Sequence, residues 1–196
     1  EVTDGSVEFH NVSFKYHKDA REYALEGVSL NIPSGQTVGV LGGTGASKTT
    51  LVQLIPRLYD VSEGCVKVAG HDVREYDLSS LRDAVGIILQ KNVLFSGTVR
   101  DNLKWGNPDA SDEEIWDACR AACADEFLSR MPKGLDTMLE QGASNLSGGQ
   151  KQRLCIARAL VGKAKILIFD DSTSAVDTAT EKKIREALAR RKDVTK

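Results

Sequence analysis

Lys48 and Thr49, approached by a glycine-rich run, are the first residues whose types and spacing could do chemistry. The run GGTGASKTT comprises Gly42, Gly43, Thr44, Gly45, Ala46, Ser47, Lys48, Thr49 and Thr50. Glycines let backbone N–H groups turn toward phosphate oxygens, and a helix opening at the lysine would add the positive end of its dipole. Lys48 would reach the outer phosphates of a polyphosphate, and Thr49 would set its hydroxyl on Mg2+. The pattern G-x-x-x-x-G-K-[ST] is broken once, because Ser47 stands where it has glycine. A plain glycine-rich turn is the competing reading.

Two further runs follow. KILIFDD ends an apolar stretch on two carboxylates, Asp170 and Asp171. That is poor core design unless the charges meet a cation. Asp170 would hold the water shell of Mg2+, and Asp171 sits where a general base for an attacking water would sit. A strand end turning into solvent competes with that reading. The third run is LSGGQ: Leu146, Ser147, Gly148, Gly149 and Gln150. Exposed amides and a hydroxyl at a helix start make a second anion site. An inconsequential glycine-rich helix start is the alternative, and it loses force once all three runs stand in order.

These runs need elements to hold them. SVEFHNVSFKY alternates loosely and VSLNI is apolar, so both read as strands; QTVGVLG reads as a buried strand ending at the glycines. Leu51, Leu54, Ile55 and Leu58 predict a helix that Pro56 kinks or ends. EGCVKVAGHDV reads as strand and turn, DLSSLRDAV as a short helix, and GIILQ as a second buried strand. Ser111 with Glu114 forms a capping box that opens a helix through about Met131. A loop then leads to a helix from about Gly149 to Val161. KILIFD is a third buried strand, and Thr178 with Glu181 caps a last helix. Buried strands separated by helices predict an α/β fold with a parallel sheet, and residues from about 95 to 160 read as a helical insertion.

The bulk numbers narrow the class. In 196 residues, 26 Lys and Arg face 28 Asp and Glu, a net charge of -2, which argues against nucleic acid as a partner. No apolar run reaches bilayer length. The chain starts at Glu1 without a signal-peptide pattern and is expected to be a piece of something longer. Cys65, Cys119, Cys123 and Cys155 form no CxxC pair. Cys119 and Cys123 share a helix face that could hold a metal; small apolar residues in a reducing cytosol are the favoured reading.

At LSGGQ, twenty residues before Asp170, the sequence resembles the ABC ATPase family, and the resemblance covers the whole chain. It implies a P-loop NTPase (RecA-like) parallel sheet core with an N-terminal antiparallel β subdomain and an inserted helical subdomain. Residues 1–196 are then one ATP-binding domain, truncated at its C-terminal side. ATP and Mg2+ are the implied ligands. Tyr16 matches the aromatic that stacks on adenine, Gln90 the Q-loop glutamine that touches Mg2+ and the attacking water, and Asp177 the D-loop that bridges two halves of a dimer. Tyr16, residues 42–50, Ser147, Gly148, Gly149, Gln150 and Asp177 would bind nucleotide. Thr49, Gln90 and Asp170 would hold the metal; Lys48, Gln90 and Asp171 would serve catalysis. Glu140 matches a region that contacts a coupling helix, although a solvated loop charge is the better reading.

QKNVLFSGTVRDNLKWG is similar to the exporter branch, which includes multidrug and lipid exporters. The implied partners are a second, different ABC ATP-binding domain and transmembrane domains outside this chain, with no nucleic acid, at the cytoplasmic face of the cell membrane. Three departures stand out. Ser47 replaces the loop glycine. Asp171 replaces the family's catalytic Glu, which withdraws the carboxylate by ~1.5 Å, a shift that can cost on the order of 10²-fold in rate; this resembles the degenerate half of heterodimeric exporters. Finally, His10, His17 and His71 all come too early to be the switch histidine, so the strand that carries it, beside the phosphate-loop strand, is expected to be missing. A working motor and a regulatory half that completes a partner's site both remain open. A soluble ABC protein is the weaker alternative, and LFSGTVRDNL argues against it.

Overall fold

The computed structural model describes residues 1–89, 91, 93–170 and 175–196. They fall into two compact units: Glu1–Val85 with Lys165–Ile168 and Lys192–Lys196, and Gly86–Ala164 with Phe169–Arg191.

In the first unit β1 (Val7–Phe14) and β2 (Leu25–Ile32) are followed by helix α1 (Lys48–Gln53), β3 (Glu63–Val68), β4 (His71–Asp72) and α2 (Leu78–Asp83). The four strands form one antiparallel sheet in the order β2-β1-β3-β4. Val7, Phe9, Val12 and Phe14 of β1 are buried. The loose alternation of β1 in sequence is a bulge, with Asn11 at φ 45° and the β1–β3 register shifting between His10 and Ser13. Gly64 makes room for it, since a Cβ there would sit 2.3 Å from the carbonyl oxygens of His10 and Asn11. Helix α1 ends at Gln53, ahead of Pro56, and Leu54 and Ile55 turn on toward Leu51 and Val52 through tighter bonds.

The same unit contains the start of a parallel arrangement. Lys165 and Ile166 donate N–H bonds to the Ala84 carbonyl, Thr195 donates to Lys165 and Leu167 to Thr195. Lys196 donates to Gln36 at 2.9 Å, and Val38 donates to Lys196 at 2.7 Å. Lys196 thus lies beside residues 36–38. The expectation of a buried strand at QTVGVLG is corrected: residues 36–43 form none, and Val38, Val40 and Leu41 are exposed. Among the described residues no backbone partner carries the ladder past Val38, and an apolar run without a paired neighbour has neither a ladder nor a covering face.

The second unit takes up most of β5 (Val85–Ile88), then β6 (Gly97–Thr98), α3 (Val99–Lys104), α4 (Asp112–Ala121), α5 (Asp125–Leu128), β7 (Met138–Leu139), α6 (Gly148–Val161), the end of β8 (Ile166–Phe169) and α7 (Thr178–Ala189). Helices α3 and α4 pack on α6 and bury Val99, Leu103, Ile115, Cys119, Leu154 and Ile156. Strands β6 and β7 pair antiparallel. Helices α3, α4 and α6 each open on a reciprocal capping box: Thr98 with Asp101, Ser111 with Glu114, Ser147 with Gln150.

Two helix boundaries differ from the sequence reading. The helix opened by Ser111 stops at Ala121, not near Met131, because Cys123 takes a left-handed φ of 57° and the chain restarts as α5. Helix α7 is capped by Asp177, not Thr178: its carboxylate accepts the Thr180 N–H at 3.0 Å and the Thr180 hydroxyl at 2.7 Å. No helix among the described residues is long and apolar enough to cross a membrane.

Candidate functional site

The glycine-rich loop lies in the first unit, exposed from Gly42 to Ala46. Gly45 has φ 82°, and Ser47, at the cap of α1, has φ 58° and ψ 27° with no side-chain cap bond. Ser47 therefore occupies the left-handed region where the motif has glycine, at a cost of about 1–2 kcal/mol. The Ala46 N–H donates to the Gly43 carbonyl at 3.1 Å, which closes the turn. The Lys48 ammonium folds back over the loop, donating to the Gly42 carbonyl and, at 3.4 Å, to that of Gly43. Thr44 is exposed and Thr50 is buried.

Tyr16, just past β1, is 48% exposed, and its hydroxyl shares a 2.5 Å hydrogen bond with the Thr50 hydroxyl. Its ring also meets Phe14 and Tyr59. The structure thus joins the candidate base-stacking ring to the helix that carries Lys48 and Thr49. Sequence reasoning missed Tyr59, whose signal was an aromatic residue soon after that helix.

The signature run lies in the second unit. The Ser147 hydroxyl accepts the Gln150 N–H at 3.2 Å, and the Gln150 side chain accepts the Ser147 N–H at 2.9 Å. A Cβ on Gly149 would come 3.0 Å from the Ala175 carbonyl oxygen, so the helix start approaches that backbone closely. The buried Gln152 side chain accepts the Ala175 N–H at 2.9 Å. Arg153 donates to the Cys123 carbonyl at 3.0 Å and lies over the Phe127 ring, which ties α6 to α5. Gln152 and Arg153 were not singled out in the sequence; polar residues one turn into a buried helix were the available signal.

The remaining candidates divide. Thr49 belongs to the first unit and Asp170 to the second, where the Asp170 N–H donates to the Ile88 carbonyl at 3.0 Å. Gln90 and Asp171 lie outside the described residues. Glu140 accepts the Ser144 hydroxyl on an exposed loop. Burial pushes the Cys119 thiol up to about 12 and raises that of Cys123, the opposite of what a thiolate ligand needs. No group of three His, Cys, Asp or Glu side chains able to hold a metal occurs among the described residues.

The second unit also has a cleft of about 350 Å³, lined by Ile87, Leu89, Val93, Phe95, Trp105 and Arg158, among others. Phe95 and Trp105 stack at 4.8 Å, and Trp105 is 69% exposed.

The donor chemistry fits a magnesium polyphosphate. A lysine ammonium and loop amides suit phosphate oxygens, and the Thr49 hydroxyl is a hard oxygen donor of the kind Mg2+ takes. The fold and the two glycine-rich runs define a P-loop nucleotide-binding domain. The ABC transporter family profile matches residues 25–174, and the chain belongs to that family as its ATP-binding domain.

YgaD of Bacillus subtilis is 48% identical over 184 residues, 94% of this chain and 32% of YgaD. The ATP-dependent lipid A-core flippase of Desulfotalea psychrophila is 43% identical over 183 residues, 93% of this chain and 32% of the flippase. A solved structure of a bacterial Atm1-family ABC exporter with ATP bound superposes with a TM-score of 0.92 at 38% identity, covering 100% of this chain and 34% of that one. The chain spans about a third of the length of these proteins.

Proposed function

We propose that this chain is the ATP-binding and ATP-hydrolysing motor domain of an ABC exporter, paired head to tail with a second such domain. It would stand at the cytoplasmic face of a membrane, tethered through a transmembrane domain outside the chain. The observation that carries this reading is the pairing, in one chain, of a lysine-bearing phosphate loop and a capped Ser-Gly-Gly helix start in the family's order.

Lys48 and the amides of residues 42–50 hold the phosphates of ATP, while Tyr16 offers its ring to adenine. Mg2+, when bound, draws charge from the phosphates; Thr49, Asp170 and Gln90 would hold it. Asp171 takes the proton of the attacking water. Ser147, Gly148, Gly149 and Gln150 close over the partner's nucleotide, with Asp177 at the seam. ATP favours the closed pair and hydrolysis releases it, a shift of a two-state equilibrium by differential affinity. The exposed Trp105–Phe95 stack supports the cleft as the place where membrane helices press. The flippase name of one relative favours an amphiphilic cargo.

A second reading, a regulatory half that hydrolyses little itself, is favoured by an Asp at position 171 in a sequence whose LSGGQ is intact. It requires that Asp171→Ala spare transporter turnover. ATP binding is tested by thermal unfolding in Mg-ATP. Ligand at about 100 times its Kd adds ~2.7 kcal/mol, roughly 5–11 °C for a domain of this size. Lys48→Ala abolishes the shift; a folded wild type that shows none rules the reading out.

A further inference from the structure

We propose that Tyr59 is a positioning residue for the nucleobase, fixing the plane of the Tyr16 ring. The inference rests on the reading of Tyr16 as the adenine platform. Tyr16 lies in the connection between β1 and β2 and is half exposed, so the sheet alone does not hold its ring. Three contacts do. Phe14 meets it at 4.9 Å with the ring planes at 78°, and Tyr59 meets it at 5.3 Å and 88°. At the far end its hydroxyl bonds to Thr50, on the helix that begins with Lys48.

Neither ring is stacked on Tyr16; both stand nearly perpendicular to it, an arrangement aromatic quadrupoles favour. Perpendicular contacts fix a plane while leaving parallel stacking to a base. Phe14 is buried and also meets Tyr59, at 5.5 Å, so the inner ring supports both. Tyr59 is the exposed member, 43% accessible, and it follows α1 directly through the turns at residues 54–58. The ring that orients the platform and the lysine that meets the phosphates are therefore carried by one short stretch of chain. A ring ordered beforehand loses less freedom when the base arrives.

The test compares Mg-ATP with magnesium tripolyphosphate, which has no base, by calorimetric titration of the purified chain. Tyr59→Leu keeps apolar bulk without a planar ring, and Tyr59→Phe keeps the ring without the hydroxyl. The expected result is that Tyr59→Leu weakens Mg-ATP about 2- to 10-fold, leaves tripolyphosphate within about 2-fold, and that Tyr59→Phe restores ATP affinity. Equal loss for both ligands, or no loss for either, overturns the proposal. Tyr16→Ala separates the layers. If it leaves the ratio of the two affinities unchanged, the base platform itself is wrong. If it shifts the ratio while Tyr59→Leu does not, only the role of Tyr59 fails.

Discussion

The two glycine-rich runs carry related chemistry on unlike foundations. Residues 42–46 are an exposed loop that leads to Ser47 in the left-handed region, opening a helix that ends at Gln53, and among the described residues the apolar run before it is paired only as far as Val38. Ser147 to Gln150 form a reciprocal cap on a helix that runs to Val161, whose inner face buries Leu154, Ile156 and Leu160. The signature is held by its own helix and the packing beneath it. The phosphate loop is closed by its own Ala46–Gly43 bond and by the Lys48 ammonium folded back over it, while Lys196 pairs with Gln36 and Val38 ahead of it. The order of the LSGGQ run is built into its packed helix, whereas the phosphate loop stands exposed at the start of a short one.

The largest test of this contrast is a pair of leucines. Leu154→Ala should destabilise by about 2–5 kcal/mol, the cost of emptying a fully buried site. Leu41→Ala, at a residue 95% exposed, should change stability by less than about 0.5 kcal/mol. Urea unfolding of both variants decides it, and equal losses would mean that residues 36–43 are as buried as the signature helix.

Ser47→Gly is next in size. It relieves a left-handed φ and should stabilise the folded chain by about 1 kcal/mol, offset in part by the greater freedom of glycine when unfolded. A destabilising change in the urea midpoint would show that the serine side chain contributes something the backbone strain does not reveal.

The smallest effect concerns acid. Bonds from the Thr180 N–H and hydroxyl hold the Asp177 carboxyl below the usual carboxylate range. A depressed folded-state pKa contributes stability that is present above the ordinary value of about 4 and lost as pH falls through the folded-state value. Asp177→Asn keeps a capping side chain that does not titrate there. The wild type should therefore lose more stability between pH 7 and pH 3 than the Asn variant does, and parallel losses would remove the cap from the account.

Local signals explain what was legible in sequence. Ser111 with Glu114 announced a capping box within four residues, and the structure forms it. The strands of the antiparallel sheet and the helix over LSGGQ were likewise readable, because alternation, caps and apolar spacing are short-range. The left-handed turn at Cys123 was not readable, since a cysteine carries no signal for positive φ, and the predicted helix ran on too far. QTVGVLG misled for a deeper reason: an apolar run forms a strand only where a neighbour pairs with it, and among the described residues that pairing reaches only Val38. Tyr59 was missed because its partner, Tyr16, lies in the β1–β2 connection, remote in sequence, and no short-range pattern links the two.

We propose that the phosphate loop serves this chain's own nucleotide and the LSGGQ run serves its partner's. Mg-ATP affinity of the separated chain, set beside ATPase turnover of the reconstituted transporter, tests it in two variants. Lys48→Ala should abolish binding to the separated chain. Gly148→Asp should leave that binding within about 2-fold, while turnover of the assembly falls on the order of 10²-fold, the scale of losing one donor to transition-state charge. If Gly148→Asp instead weakens the chain's own binding as much as Lys48→Ala does, both runs grip the same nucleotide and the head-to-tail account is contradicted.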